Sequence, residues 1–502
     1  MVEPVFEKIN IHQREGEIKE QIKADVKTDV SSEAVSGILA VAPWVTVSES
    51  EVLNGKIRYG GKVIFYISYI DGDGLLKKCE CGSEFVGEIK NDNILGNERA
   101  YLTAEVDKAE TDLSGLKLSV SAFITVKAGV AGASEVNALV GGENLVVKES
   151  ELVSAKSLGV CRGIYPLEEE FEVSYLVEEV LYHRADAVIT AVQSGVGTII
   201  VDGEVLLSLI MLQKSDKNDI IKETRNLPFR MEIECEESMP NMQAVARVKE
   251  RSFKTDIAVD ENNGKSVVGV NVSLAFEGEA FADGTATVAS DVFSTENDVE
   301  IIKEEYPFYK TCEVRSYSAV INGKAEVNEL PVGAVILAVG NEKASIISTA
   351  CDDGALTVTG VFGATAFVRD GDGKVFTRKL ELPFEKSFDA GFNCQTEITV
   401  TVKATRGSAK ITSLTEMETD AELRFTVYPT EKCSHKVVKE IKVLGEKRKK
   451  DAAISIYIPE EGEELWSLAK RLNVCPDTLI ATNKDLQFPL TGNERIVIYR
   501  HK

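Results

Sequence analysis

Three stretches of this chain repeat one pattern, and that repetition constrains the fold more than any other feature. Residues 60–89 (GGKVIFYISYIDGDGLLKKCECGSEFVGEI), 202–233 (DGEVLLSLIMLQKSDKNDIIKETRNLPFRMEI) and 359–388 (TGVFGATAFVRDGDGKVFTRKLELPFEKSF) each hold a Gly-led apolar strand, a polar turn and a return strand with a Phe near its end. Alternating apolar positions joined by Asp-Gly or Lys-Asn turn residues predict a β-hairpin in each copy. In the third copy Asp370-Gly371-Asp372-Gly373 falls where the first has Asp71-Gly72-Asp73-Gly74. A calcium loop needs further oxygen ligands and a closing Glu that neither stretch supplies, so both read as turns.

A second layer of similarity follows each hairpin. Residues 101–127, 243–277 and 396–428 all show period-2 alternation ending in a long apolar strand, expected to form the closing edge of each module. Upstream, Tyr165-Pro166 precedes Glu172-Val173 with the spacing at which Tyr306-Pro307 precedes Glu313-Val314, and residues 1–30 read as a divergent version of this lead-in. The pattern predicts a mainly β chain of three β-sandwich-like or barrel-like repeats at 31–150, 151–290 and 291–430. Residues 431–450 carry the strongest helical pattern and end in Lys447-Arg448-Lys449-Lys450, which reads as a basic linker over 431–452.

Charge excludes one class of partner. With 81 acidic against 57 basic residues in 502, the net charge of -24 repels phosphate backbones, so nucleic acid is not expected. The nine cysteines show no disulfide framework, and free thiols suit a reducing compartment. The opening MVEPVFEKINIHQREG lacks the apolar core of a secretory signal, and no apolar run reaches membrane-spanning length, so a cytoplasmic protein without a transmembrane segment is expected.

From residue 453 the pattern changes. After the short strand ISIYI, Leu465, Leu468, Ala469 and Leu472 recur at i, i+3, i+4 and i+7, one face of a short helix. A second helix can start at Pro476, with Asp477 beside its positive end, and Arg495 to Tyr499 gives a closing strand. The order is β-α-α-β over 453–502.

This stretch resembles a LysM domain. The family pattern is met by Gly462-Glu463-Glu464-Leu465-Trp466, Leu468-Ala469, Leu479 with Asn483, and Gly492 with Ile496 and Ile498. The resemblance implies a groove for N-acetylglucosamine polymers between loops 461–465 and 484–491, with Gly462, Glu463, Glu464, Leu465, Trp466, Asn483, Pro489 and Leu490 as its candidate lining. The family's usual Asp-Thr is Glu463-Glu464 here, with Glu460 and Glu461 adding charge. A carboxylate in place of a sugar-bonding hydroxyl shifts the expected ligand from glycan towards protein. Trp466 at helical spacing also fits a core residue.

The Gly-led hairpins, in turn, resemble the SPOCS domain of sporulation proteins. SPOCS repeats ending in a LysM domain resemble a clostridial family of spore coat morphogenetic proteins, and the likeness covers nearly the whole chain. It implies a scaffold in the mother-cell cytosol at the forespore surface, whose LysM domain engages the SpoIVA-like ATPase of the coat basement layer. Peptidoglycan is the alternative ligand. Linked copies of one module also allow self-association and multivalent binding.

An enzyme is not expected, and no cofactor or metal. The four histidines, at 12, 183, 435 and 501, fall in no zinc spacing, and no motif pairs a Ser or Cys with one of them. No Gly-x-x-x-x-Gly-Lys-Ser/Thr loop is present, so ATP chemistry would belong to the partner. His183 and Cys161 read as structural or surface residues, and Trp44 as core.

Overall fold

A computed structural model describes residues 2–29, 35–214, 219–352, 354–392, 396–447 and 454–499. The chain is mainly β, with two short helices near its end and, among the described residues, no sheet closed into a barrel. In the first module β1 (Glu3–Asp29), β6 (Lys117–Glu143) and β5 (Arg99–Ser114) form one three-stranded sheet, in the order β1-β6-β5. Its second sheet has the order β2-β3-β4, from β2 (Val35–Leu53), β3 (Lys56–Asp71) and β4 (Leu76–Lys90). The inward residues Val63, Phe65 and Ile67 of β3 meet Val120, Ala122, Ile124 and Val126 of β6 in one core, the packing of a sandwich.

The second module repeats this plan. The sheet β11-β12-β7 comprises β7 (Val146–Val173), β11 (Gln243–Asp260) and β12 (Lys265–Phe293), and it faces β8 (Val177–Gly195), β9 (Thr198–Gln213) and β10 (Ile220–Glu234). In the third module β15 (Val335–Asp352), β16 (Ala355–Arg369) and β17 (Val375–Asp389) face β18 (Thr396–Ile411) and β19 (Glu416–Glu446). There the lead-in strand is broken in two: β14 (Arg315–Glu326) pairs with the first part of β19, and β13 (Asn297–Thr311) with its second part.

All three expected hairpins are present as β3–β4, β9–β10 and β16–β17. Their shared Gly and Phe have one cause. Gly61 pairs with Phe85, Gly203 with Phe229 and Gly360 with Phe384 across the hairpin. In each case a Cβ on the glycine would lie 2.4 Å from the Phe ring and as close to a carbonyl of the third strand, so the ring lies over bare backbone that only glycine leaves open. The two Asp-Gly stretches are turns: Asp71 Oδ1 accepts from the amides of Asp73 and Leu75, and Asp370 Oδ1 from those of Asp372 and Lys374. The Lys217-Asn218 turn of the second copy lies outside the described residues.

Three expectations change. The long strands β6, β12 and β19 are central and not closing edges, because the lead-in strands β1, β7 and β13/β14 pair along their other side. Residues 3–29 therefore pair within the first module's sheet, the second module's lead-in starts at Val146 with β7, and the third's β19 runs to Glu446. Residues 431–446 are neither helix nor linker but the second part of β19, paired with β13. A register shift between Ile302 and Lys303 leaves Lys439 as an extra residue in β19, and beside it Val437 and Val438 are both fully buried, each in a different cluster between the ribbons. That bulge imitates a helical period in the sequence.

Beyond its sandwich each module extends a two-stranded ribbon, formed by residues 3–13 with 132–143, 146–157 with 281–293, and 297–310 with 431–446. An isolated ribbon of this kind is marginal in water. Here the three pack on each other: Val136 and Ala138 of the first meet Leu152 and Val288 of the second and Val437 of the third, all at most 1% exposed. Leu139, Ala289, Val292 and Val438 repeat the contact one layer along. At the sandwich level a further core joins Ala42, Tyr66 and Leu76 to Leu181, Tyr182 and Ile210 and to Ala338, Phe367 and Val375. Trp44 is half-buried against that core. The three copies thus close around shared apolar cores, each touching both others.

Candidate functional site

The C-terminal unit has the expected β-α-α-β order. Strands β20 (Ile454–Tyr457) and β21 (Ile496–Tyr499) pair antiparallel, and α1 (Leu465–Leu472) and α2 (Pro476–Thr482) lie between them in sequence. Leu468, Ala469, Leu472, Leu479, Ile496 and Ile498 form its core, as the i, i+3, i+4, i+7 pattern requires. Asn473 takes the left-handed conformation that ends α1, and Pro476 opens α2 at its first position.

The two loops expected to form a groove lie side by side. The amide of Gly462 donates to the Leu490 carbonyl at 2.7 Å, and the amide of Leu490 to the Glu463 carbonyl at 3.0 Å. Gly462 and Gly492 both have positive φ, 80° and 87°, which explains glycine at each. Glu463 is bound in both oxygens by Arg471, at 2.8 and 2.7 Å, and its carboxylate is only 8% exposed. That bidentate hydrogen bond holds it below the ordinary carboxylate range despite burial. Glu460, Glu461 and Glu464 are exposed, and Pro489 also faces solvent.

Not all the candidates belong to this surface. Leu490 is 2% exposed and Leu465 half-buried, so their side chains serve the core. Asn483 is a tie within the domain: its amide donates to the carbonyls of Leu479 and Val497, both at 2.9 Å, and its oxygen accepts from the Val497 amide at 2.8 Å. What remains for a ligand is the backbone of Gly462, Glu464 with Glu460 and Glu461, and Pro489.

Trp466 points elsewhere, into a contact that sequence reasoning did not foresee. Its indole stands edge-on to Phe293 at the end of β12, 5.3 Å between ring centres, and Nε1 donates to Asp291 at 2.8 Å. Lys470, one turn on, reaches both oxygens of Asp291 at 2.8 Å, and Lys303 of β13 adds a third partner at 3.1 Å. Burial works to raise the Asp291 pKa, but hydrogen bonds from Lys470, Trp466 and Lys303 outweigh it and hold the group at about 2. Asn473 donates to the Thr295 carbonyl, and Lys447 bridges the Asn473 side chain and the Ser294 carbonyl. The domain is therefore docked where the second and third ribbons end, away from their sandwiches. The i, i+4 spacing of Trp466 and Lys470 is the one sequence signal that could have pointed to this second face of α1.

Away from this domain, His183 lies between modules one and two, 3.0 Å from the Tyr66 hydroxyl and stacked on Phe253 at 4.1 Å. Burial, with Lys78 nearby, lowers its pKa to about 4, which fits a structural neutral imidazole. Among the described residues no cluster of three or more His, Cys, Asp or Glu has the arrangement of a metal site. No helix among them is long and apolar enough to cross a membrane. No protein-family model, curated protein or solved structure matches the chain.

Proposed function

We propose that this chain is a non-enzymatic scaffold for spore coat assembly, acting in the mother-cell cytosol at the forespore surface. Its LysM-like domain would bind a SpoIVA-like ATPase of the coat basement layer, as the likeness to SPOCS-repeat proteins of the SipL type implies. The observation that carries this reading is the surface of the paired loops. Three exposed carboxylates, Glu460, Glu461 and Glu464, stand where a sugar-binding groove would offer hydroxyls, and Trp466 is turned away into the docking contact. An acidic, exposed loop pair suits a protein with basic groups better than a neutral glycan. The docking supports it too, since a ligand held at the loops is held to the whole three-module body.

The side-by-side loops favour a second reading, a peptidoglycan binder, because that backbone arrangement is what a glycan groove requires. Two binding measurements on the full chain separate the readings. Capture by the immobilised coat ATPase, weakened about tenfold or more by Glu461→Lys with Glu464→Lys, supports the scaffold. Co-sedimentation with purified peptidoglycan and no capture by the ATPase would replace it with the glycan reading.

A further inference from the structure

Where β6, β12 and β19 leave their sandwiches and enter the ribbons, the three modules border a cavity of about 40 Å³. Module one lines it with Tyr101, module two with Arg247 and Glu279, and module three with Cys312 and Tyr428. A water needs roughly 10–15 Å³ of such space, so the cavity has the room of about three waters. That admits a small ion and excludes a nucleotide or a sugar chain.

The carboxylate on its wall is already matched. Glu279, 4% exposed, accepts from Arg99 at 2.9 Å, from the Tyr101 hydroxyl at 2.6 Å and from the Ser157 hydroxyl. Two donors are left over, Arg247 and Tyr428. Glu277, the cross-strand neighbour of Arg247, is held by Arg162 at 3.0 Å. Arg247 lies instead over the Tyr101 ring, 4.0 Å from its centre, a contact that consumes none of its N–H groups. Among the described residues its guanidinium has no hydrogen bond or ion pair, and the hydroxyl of the half-buried Tyr428 has no hydrogen bond either. Burial raises the Tyr428 pKa and the charge of Arg247 works against that rise, so the two groups stand within electrostatic reach of each other.

We propose that this cavity binds a small oxyanion, a phosphate or a carboxylate, between the Arg247 guanidinium and the Tyr428 hydroxyl. A guanidinium offers paired N–H groups in the geometry such an anion accepts, and the hydroxyl adds a further donor. With Arg99 neutralised by Glu279, Arg247 is the unbalanced charge among the described residues of the cavity wall, which selects an anion over a neutral molecule. The anion joins module two to module three, and through the Tyr101 ring beneath Arg247 it bears on module one, so binding favours the closed body. The site shares no residue with the loops proposed to bind the coat ATPase, so either proposal can fail without the other.

The test is equilibrium dialysis of the full chain, at about 200 µM in chloride buffer, against radiolabelled inorganic phosphate and, separately, radiolabelled acetate. That concentration resolves dissociation constants up to about 1 mM. The expected result is saturable binding of about one equivalent per chain for at least one of the two anions, and which of them binds tells phosphate from carboxylate as the ligand. Tyr428→Phe should weaken binding about tenfold, and Arg247→Met, which keeps the apolar stem and removes the charge, should abolish it. The Tyr428 hydroxyl has no described protein partner to lose, so the Tyr428→Phe chain should melt as the unsubstituted one does in chloride, and its weaker binding is then not lost folding. No saturable binding of either anion would overturn the proposal. Binding that either substitution leaves unchanged would overturn it too, since the anion would then sit elsewhere.

Discussion

Gly61, Gly203 and Gly360 show how a single residue fixes a module. Each lies opposite a Phe on the return strand, and the missing side chain is what leaves room for the ring beside the strand. Gly203→Ala would bring a methyl within 2.3 Å of the Val188 carbonyl and 2.4 Å of the Phe229 ring. The expected cost is about 1–3 kcal/mol, read as a lower denaturation midpoint, and a change within error would contradict this account of the motif. The Gly and the Phe were legible in the sequence as a recurring pair. Their contact was not, because it depends on the register between two strands. His183 makes a pH-dependent contribution at the same scale. Its folded pKa of about 4 lies below the ordinary 6.5, so the unfolded chain takes up the proton first as pH falls. The contribution is whole above about 6.5 and is lost as pH drops through to about 4, reaching about 2 kcal/mol at pH 5. Thermal melts at pH 7 and pH 5 should show that loss, and His183→Phe should remove most of the difference.

Elements were read well where one period ran uninterrupted. The three hairpins and both short helices follow directly from periods of 2 and 3.6. The second part of β19 departs from the expectation because its extra residue, and the burial of both Val437 and Val438 in separate clusters, break the period of 2. The docking of α1 was missed for a different reason. Its apolar stripe accounts for the face inside the domain, while Trp466 and Lys470 meet Asp291, more than a hundred residues earlier in the chain. Asp291→Ala should free this contact, leaving Trp466 without its partner and Lys470 without its ion pair. With only two tryptophans in the chain, a Trp44→Phe background isolates Trp466, whose emission is expected to shift to the red on release. An unchanged spectrum would mean that Phe293 and the backbone contacts suffice to hold the domain. In the unsubstituted chain the Asp291 contribution is present above the ordinary carboxylate value of 3.8 and is lost only as pH falls towards about 2, so docking should persist at mildly acid pH.

At the scale of the whole molecule, buried carboxylates tie module two to both of its neighbours. Modules one and two meet through His183, Tyr66 and Phe253, and through the buried Glu279, which accepts from Arg99 at 2.9 Å and from the Tyr101 hydroxyl at 2.6 Å. Between modules two and three Asp186, held by Arg184 of its own strand at 2.7 Å, takes Lys403 at 2.9 Å, while Lys222 pairs with the buried Glu342. Modules three and one are joined by Lys343 to the Val106 carbonyl and Thr377 to the Leu39 carbonyl. The buried Glu279 and Glu342 favour the correct neighbours, because a wrong pairing would leave a buried charge alone. None of this could be read from the repeats, which say that three copies exist but not that they share a core. The ribbons test the point most directly, since a lone two-stranded ribbon has no core of its own. Hydrogen exchange on the full chain should find amides around Val136, Leu152, Val288 and Val437 protected to the level of the sandwich strands β6 and β12. Ribbon amides that exchange like frayed hairpin ends while the sandwiches stay protected would contradict the closed three-module body.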